Sequence, residues 1–580
     1  MLKSEYSKNK LEKAQTPTSL DTMTSGAELL VEALVQEEVE YIFGYPGGAV
    51  LPLYDAFYEQ RIPHILYRHE QGATHAAEGY ARVSGKPGVV VVTSGPGATN
   101  AITGIADAYS DSLPLVVITG QVASPGIGKD AFQEADILSM TTPITKHNYQ
   151  VRDVKEIPKI IKEAFYIANS GRKGPVVIDF PKDMGVFSTQ ETYDTSIHTP
   201  GYVVKTSPEQ DDVTQLLVAL SVSQKPVVLA GAGIHFSKSN DLLRQFVEHF
   251  DIPVVATLHG LGAIPYSHPL FLGMGGMHGS YASNMALTEC DLLINFGSRF
   301  DDRLASNPDH FAPHAKIVHV DIDPSEINKI IRTDLGIVAD VKHVLTELLK
   351  RRGEAVKHDT WVKQVQAYRT QHPFTYLETD NEAFSKPQRA IEYIGQITNG
   401  DAYVSTDVGQ HQMWVAQFYP FKKHGQLITS GGLGTMGFGI PAAIGAQFAK
   451  PDATVVAFVG DGGFQMTNQE IALMKEFNLN IKVVLINNGT LGMVKQWQDK
   501  FFDQRFSSSV FNDQPDFMRL SEAYGVKGFL IDQASQLEST IDTAFAHDGP
   551  AVIEIRISPT EAVLPMVPSG KSNHEMEGLL

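Results

Sequence analysis

Short apolar, β-branched runs recur along the chain between longer stretches of helical periodicity. They are 88–93 (GVVVVT), 115–119 (LVVIT), 226–230 (PVVLA), 253–256 (PVVA), 291–295 (DLLIN), 316–320 (KIVHV), 402–405 (AYVS), 453–459 (ATVVAFV) and 481–486 (IKVVLI). Each has the length of a strand buried on both faces, and strands alternating with helical patterns predict parallel sheets. The runs fall into three blocks, 22–187, 211–349 and 387–568. Polar stretches at 188–210 and 350–386 read as linkers, the second with some helix. Residues 1–21 read as a flexible N-terminus and 569–580 as a tail. The expected fold class is α/β, with three doubly wound parallel-sheet domains.

Composition narrows the functional classes. A chain of 580 residues has room for about three or four domains. The net charge of −19 argues against nucleic acid and anionic membranes as partners. The single cysteine, Cys290, excludes an internal disulfide framework and, beside an apolar run, reads as a buried core thiol. No apolar run approaches the ~18 residues of a membrane helix. The polar first 20 residues lack a signal-peptide core, which makes the cytoplasm the expected location.

The densest chemistry lies at Gly460-Asp461-Gly462-Gly463, followed by Asn487-Asn488-Gly489. The pattern is GDG, 24 residues, then NN, with both ends placed just after a predicted strand. Between them, Thr467 and Glu470 read as a capping box ahead of Ile471, Met474 and Phe477. Ligands of open α/β sheets sit at strand carboxyl ends, so Asp461 and Asn488 can converge there. A carboxylate, an amide oxygen and main-chain carbonyls suit Mg²⁺ shared with phosphate, and the glycines admit a diphosphate. The pattern resembles the metal and diphosphate clamp of thiamine-diphosphate (ThDP) enzymes.

Other constellations are less specific alone. Glu70, in RHEQGA, opens an Ala-rich helix. It is either a helix-dipole partner or, given the clamp, the carboxyl group that holds N1′ of the ThDP aminopyrimidine. Met436, between glycines, is either core or a brace for a bent cofactor. Gln410 and His411 are turn residues or phosphate contacts. Gly231 and Gly233 after a strand, Gly297 and Arg299 after another, and Asp321 at the end of a third suit a dinucleotide. Without a full GxGxxG, a solvated charge cluster is the competing reading.

Taken together, FGYPGGA, RHEQGA, TSGPGATN, DAFQEADI, GSRFDDR, HVDIDPSEI, GLGTMGFGIPAAIGA, GDGGF and INNGTLGMVKQWQ carry a resemblance over nearly the whole chain. The chain resembles the catalytic large subunits of the acetohydroxyacid synthase (acetolactate synthase) family. That resemblance implies ThDP, Mg²⁺ and FAD, with a flavin that performs no net redox. It implies Glu70 at N1′, with Asp461, Asn488 and the main chain of Thr490 on the metal. It places Gln410, His411, Met436, Gly462 and Gly463 around ThDP. It places Arg172, Gly231, Gly233, Thr257, Leu258, His278, Gly297, Arg299, Asp321, Ile322, Asp340 and Val341 around FAD. Gly48, Gln133, Lys182, Arg303 and Trp497 are implied at the reacting centre, and Phe132, Met277 and Val494 in the substrate channel.

The implied reaction decarboxylates pyruvate and transfers its two-carbon unit to pyruvate or 2-ketobutyrate, early in valine, leucine and isoleucine synthesis. The implied partners are small 2-keto acids, a second copy of the chain in a homodimer or homotetramer with active sites at the subunit interface, and a small regulatory subunit. A catabolic acetolactate-forming enzyme without flavin and a flavin-dependent pyruvate oxidase are the competing readings. GSRFDDR and LGMVKQWQ speak against both. A non-catalytic relative would be expected to lose Glu70, Asp461 or Asn488, and all three are present. Ala123 stands where many relatives carry proline, which bears on inhibitor sensitivity, and His259 also departs from relatives.

Overall fold

A computed structural model describes residues 23–579 apart from 61, 194, 195, 198, 355 and 378–382. The N-terminal stretch expected to be frayed lies outside the described residues. Three six-stranded sheets are present, and every strand pair within them is parallel. The first runs His64–Leu66, Ile42–Tyr45, Gly88–Val92, Leu115–Gln121, Val176–Pro181, His147–Gln150. The second runs Phe271–Met274, Val254–Ala256, Pro226–Ala230, Leu292–Phe296, Lys316–Asp321, Leu335–Val338. The third runs Leu427–Ile428, Tyr403–Thr406, Val455–Gly460, Ile481–Asn487, Ala551–Arg556, Lys527–Ile531. The central strands are buried on both faces, as their unbroken Val, Ile and Leu runs require.

Helices fill both sides of each sheet. Helix α1 (Glu70–Ser84) follows the short edge strand of the first sheet, and α2 (Pro96–Ser110) follows Gly88–Val92. Gly95, between strand and helix, has φ +59°, a region that glycine enters without strain. Helix α3 (Gly439–Ala449) belongs to the third sheet but packs directly on α1. A Cβ on Gly79 would run into the carbonyl of Ala442, and one on Gly445 into the carbonyl of Ala76. The small residues of both helices therefore let two backbones touch. Ala73, Ala77, Ile440, Ala443 and Ile444 join Val455 and Phe464 in one apolar cluster, so the first and third sheets share a core.

One expectation needs correction. The stretch after Asp461 does not wait for Thr467 to start its helix. Helix α4 (Asp461–Thr467) begins at the aspartate, a 3₁₀ turn spans Asn468–Glu470, and a second helix spans Ile471–Glu476. No capping box forms: the Thr467 hydroxyl donates to the Gly437 carbonyl, and Glu470 is held by the first domain. Tertiary partners outbid the local cap because they satisfy the same groups in a buried setting. The stretch 350–386, read as a linker with some helix, carries a helix of its own. The helix Asp359–Gln371 there buries Trp361 and Val365 in the central domain's core, and the Trp361 indole donates to the Pro226 carbonyl. Cys290 is fully buried in that same core, which raises its thiol pKa, as expected of an inert thiol. Among the described residues, no helix is long and apolar enough to cross a membrane.

Candidate active site

Parallel register decides where the two halves of the GDG and NN pattern meet. Gly460 pairs with Ile486 at the end of adjacent strands, so Asp461 and Asn488 leave the sheet side by side. Asp461 is 2% exposed. Its carboxylate accepts from the Gln514 side chain at 2.7 Å and from the Gly462 amide at 3.0 Å. Burial pushes its pKa up to about 6, against those hydrogen bonds. Asn488 donates to Gln410 Oε1 at 3.1 Å, and its own Oδ1 accepts from the Thr490 amide at 3.0 Å. Gln410 also donates to Gln496 and to the Glu561 carbonyl, so its side chain is anchored beside Asn488.

The pocket above these residues is shaped by absent side chains. A Cβ on Gly462 would lie 3.2 Å from Met436 Cε and 2.7 Å from Leu491. Cβ atoms on Gly409 and Gly460 would press on the His411 ring at 2.9 and 3.0 Å. His411 is buried, which lowers its pKa to about 4, and its Nε2 has no partner among the described residues. The Thr490 hydroxyl is likewise buried without a partner. Orphaned polar atoms at glycine-rich strand ends are what a diphosphate and its metal would satisfy. A cavity lined by Asn487, Asn488, Gly489, Gln514 and Arg556 opens beside them. The sequence reading missed Asp407. Its buried carboxylate accepts from the amides of Val408, Gly437 and Gly439, and it leaves no room for a side chain at 463. Its position just after the strand Tyr403–Thr406 was the available signal.

Glu70 is the first residue of α1 and is 9% exposed. Asn100 from α2 donates to its Oε2 at 3.0 Å. A Cβ on Gly97 would sit 3.3 Å from its Oε1, so the glycine keeps one side of the carboxyl group open. His69 caps the helix by accepting from the Gln71 amide at 3.1 Å. Among the described residues, Glu70 and Asp461 share no hydrogen bond.

The remaining residues divide in the same way. Arg303 and Trp497 come together across domains: the guanidinium lies 5.9 Å from the indole centroid, which faces it from α5 (Gly492–Phe501). The Met277 amide donates to the Arg303 carbonyl at 2.7 Å and the Val567 amide to the Met277 carbonyl at 2.8 Å, so the C-terminal segment laces this side. Val494, on α5, is exposed. Gly48, Phe132, Gln133 and Lys182 lie on the first domain. Phe132 is 88% exposed and a Cβ on Gly48 would meet nothing within 4 Å. No hydrogen bond or ring contact among the described residues joins these four to Arg303 or Trp497.

In the central domain, Gly231, Gly297 and Asp321 follow or end three neighbouring strands. Gly233 and Gly297 touch backbone to backbone, which forbids a side chain at either. Thr257 caps the turn Leu258–Gly260, Ile322 follows Asp321, and Asp340 caps the helix Val341–Lys350. Arg172, from the first domain, pairs with Glu326 at 2.8 Å and Asp323 at 3.3 Å. Arg299 approaches Gly432, with its Nη2 3.2 Å from where a Cβ would be. His278 is buried with Nδ1 unpartnered and its pKa lowered to about 4. His259, one of the departures from relatives, lies 3.0 Å from Asp111 and 3.2 Å from Arg82.

These sheets and strand-end clusters define a class, that of ThDP enzymes. Three family models match: the N-terminal TPP binding domain over 24–140, the central domain over 213–348 and the C-terminal TPP binding domain over 407–555. The chain is 55% identical to the acetolactate synthase large subunit of Lactococcus lactis subsp. lactis, over 97% of each chain. It is 45% identical to the probable acetolactate synthase large subunit of Methanocaldococcus jannaschii, over 94% of each. It is 44% identical to the acetolactate synthase isozyme 2 large subunit of Escherichia coli, over 95% of this chain and 99% of that one. The chain belongs to the family of acetolactate synthase large subunits.

Proposed function

We propose that the protein is a carboligase that decarboxylates pyruvate and transfers the two-carbon unit to a second 2-keto acid. With pyruvate the product is 2-acetolactate, and with 2-ketobutyrate it is 2-aceto-2-hydroxybutyrate, early in branched-chain amino-acid synthesis. The observation that carries the proposal is the convergence of Asp461 and Asn488 at paired strand ends, beneath the orphaned His411 Nε2. Bound ThDP supplies the electron sink for the lost carboxyl group. Asp461, Asn488 and the Thr490 main chain would hold Mg²⁺, and a divalent cation would offset the burial that raises the Asp461 pKa. Glu70 would hold the proton at N1′ of the aminopyrimidine. Arg303 would orient the second substrate's carboxylate, with Trp497 as an apolar wall.

FAD is part of the same proposal. The glycine strand ends, Asp321 and the buried, unpartnered His278 Nδ1 suit a dinucleotide. So is the assembly. Among the described residues, Glu70 and Asp461 share no hydrogen bond within one chain, while the first domain leaves Phe132 exposed and Gly48 open. A homodimer or homotetramer in which one chain's Glu70 completes another's Asp461 site accounts for both. A small regulatory subunit is an expectation of the family alone.

The decisive experiment is a mixed-substrate assay on purified protein, with pyruvate and 2-ketobutyrate present and each cofactor omitted in turn. Both acetohydroxyacids are expected, and none without ThDP or Mg²⁺. Full activity of colourless, FAD-free protein would favour the catabolic reading. Oxygen or quinone consumption matching pyruvate loss would favour an oxidase.

A further inference from the structure

Glu470 is a carboxylate of the third domain that reaches into the first. It sits at the end of the 3₁₀ turn that continues α4, nine residues after Asp461. It is fully buried as a residue. Its two oxygens accept from the main-chain amide of Arg68, at 3.1 and 3.3 Å. Burial pushes its pKa up to about 7, opposed by the Arg68 amide, the Arg68 charge and the His69 amide. Arg68 itself pairs through its guanidinium with Glu476, on the next helix of the same segment, at 2.8 Å. On the other side, a Cβ built on Gly72 would lie 2.7 Å from Glu470 Oε1. The carboxylate is thus seated between residues 68 and 72, around the turn that starts with Glu70.

This contact has no local sequence logic. A glutamate three residues after a threonine would ordinarily close a capping box on its own helix. Here it leaves its own helix uncapped and crosses to another domain, burying a charge to do so. The groups it grips are the amides leading into α1, and α1 presents the carboxyl group assigned to N1′. A buried acceptor on those amides fixes where the first turn begins, and hence the direction of the Glu70 side chain. Asn100 sets the other end of that side chain, at its carboxyl group.

We propose that Glu470 is a positioning residue for Glu70: it holds the entry to α1 so that the Glu70 carboxyl group meets the aminopyrimidine in register. The proposal deepens, and rests on, the assignment of Glu70 to N1′. It predicts that Glu470 governs the proton transfers at the cofactor rather than substrate binding.

The test uses the full chain and four variants: Glu470→Ala, Gly72→Ala, the two combined, and Glu70→Gln. Three readouts are taken. Hydrogen exchange of the segment 67–75 is measured in the apo-protein. Exchange of the C2 proton of bound ThDP for deuterium is measured at saturating cofactor without substrate. Steady-state kcat and KM for pyruvate are measured on the same preparations. Glu470→Ala is expected to deprotect the segment and to slow C2 exchange and kcat together, by about 10- to 100-fold, the cost of a small misplacement of a catalytic group. KM is expected to stay within about twofold, since uniform substrate binding is untouched.

Gly72→Ala perturbs the same contact from the opposite side and serves if Glu470→Ala fails to fold. It is expected to slow C2 exchange because its methyl group displaces the carboxylate. Adding it to Glu470→Ala is expected to cost nothing further, since the clash is gone and alanine is the better helix former. Normal C2 exchange in ThDP-saturated Glu470→Ala or Gly72→Ala, beside slow exchange in Glu70→Gln, would overturn this inference alone. Normal exchange in Glu70→Gln would overturn the N1′ assignment and the inference with it. A loss of thermal stability with unchanged C2 exchange would reduce Glu470 to a packing role and overturn the proposal.

Discussion

The two halves of the candidate active site are built on opposite plans. The Asp461 half is complete within one domain. Its residues follow adjacent parallel strands, with Gln514 on Asp461 and Gln410 bridging Asn488 and Gln496. The Glu70 half is a single carboxyl group at a helix start, held by Asn100 and, through the main chain, by Glu470. Around it the first domain offers an open Gly48 and an exposed Phe132. A site that binds metal and diphosphate needs several ligands at fixed distances, and a strand pair supplies them locally. A site that moves one proton needs one group in the right place, and that place is set by distant contacts.

The comparison can be broken most sharply at Glu70. Glu70→Gln is expected to lower kcat by about 10²- to 10⁴-fold, the usual worth of a positioned acid or base, with FAD still bound. Steady-state assays with flavin absorbance check both, and near-normal turnover would dissolve the distinction between the halves. Asp461→Asn strikes the other half. It is expected to weaken Mg²⁺ and ThDP binding by about 10- to 100-fold, with activity partly recovered at high metal. Cofactor titration by fluorescence quenching decides this, and an unchanged affinity would remove Asp461 from the metal.

Smaller effects sharpen the picture. Trp497→Leu is expected to cut the preference for 2-ketobutyrate by about tenfold, because one methylene in an apolar pocket is worth ~1–3 kcal/mol. The product ratio in the mixed-substrate assay reads this directly. Glu470→Gln tests the link between halves through pH. The folded pKa of about 7 stands above the ordinary 4.5, so the folded state binds the extra proton between those values. Stability from this group is present below 4.5 and is lost as pH rises through about 7. Denaturant melts should therefore show the parent weakening over that window more than Glu470→Gln does. Parallel curves would mean that the carboxyl group does not titrate there.

Much of this was legible in the chain. The apolar runs mark the central strands to within a residue or two, and the spacing from Asp461 to Asn488 encodes one strand, helix and strand unit. Where reading failed, a distant partner had taken over a local signal. Thr467 and Glu470 look like a capping box, yet both are spent on other segments.

By itself the sequence determined the three parallel sheets and the polar groups at their strand ends, because those depend on neighbours along the chain. Only the tertiary structure decided that α1 and α3 touch backbone to backbone, that Arg303 faces Trp497, and that Glu470 grips the entry to the helix bearing Glu70. Such contacts join residues hundreds of positions apart. They exist because burying a polar group is tolerable only where a partner waits, and no local pattern records where that partner will be.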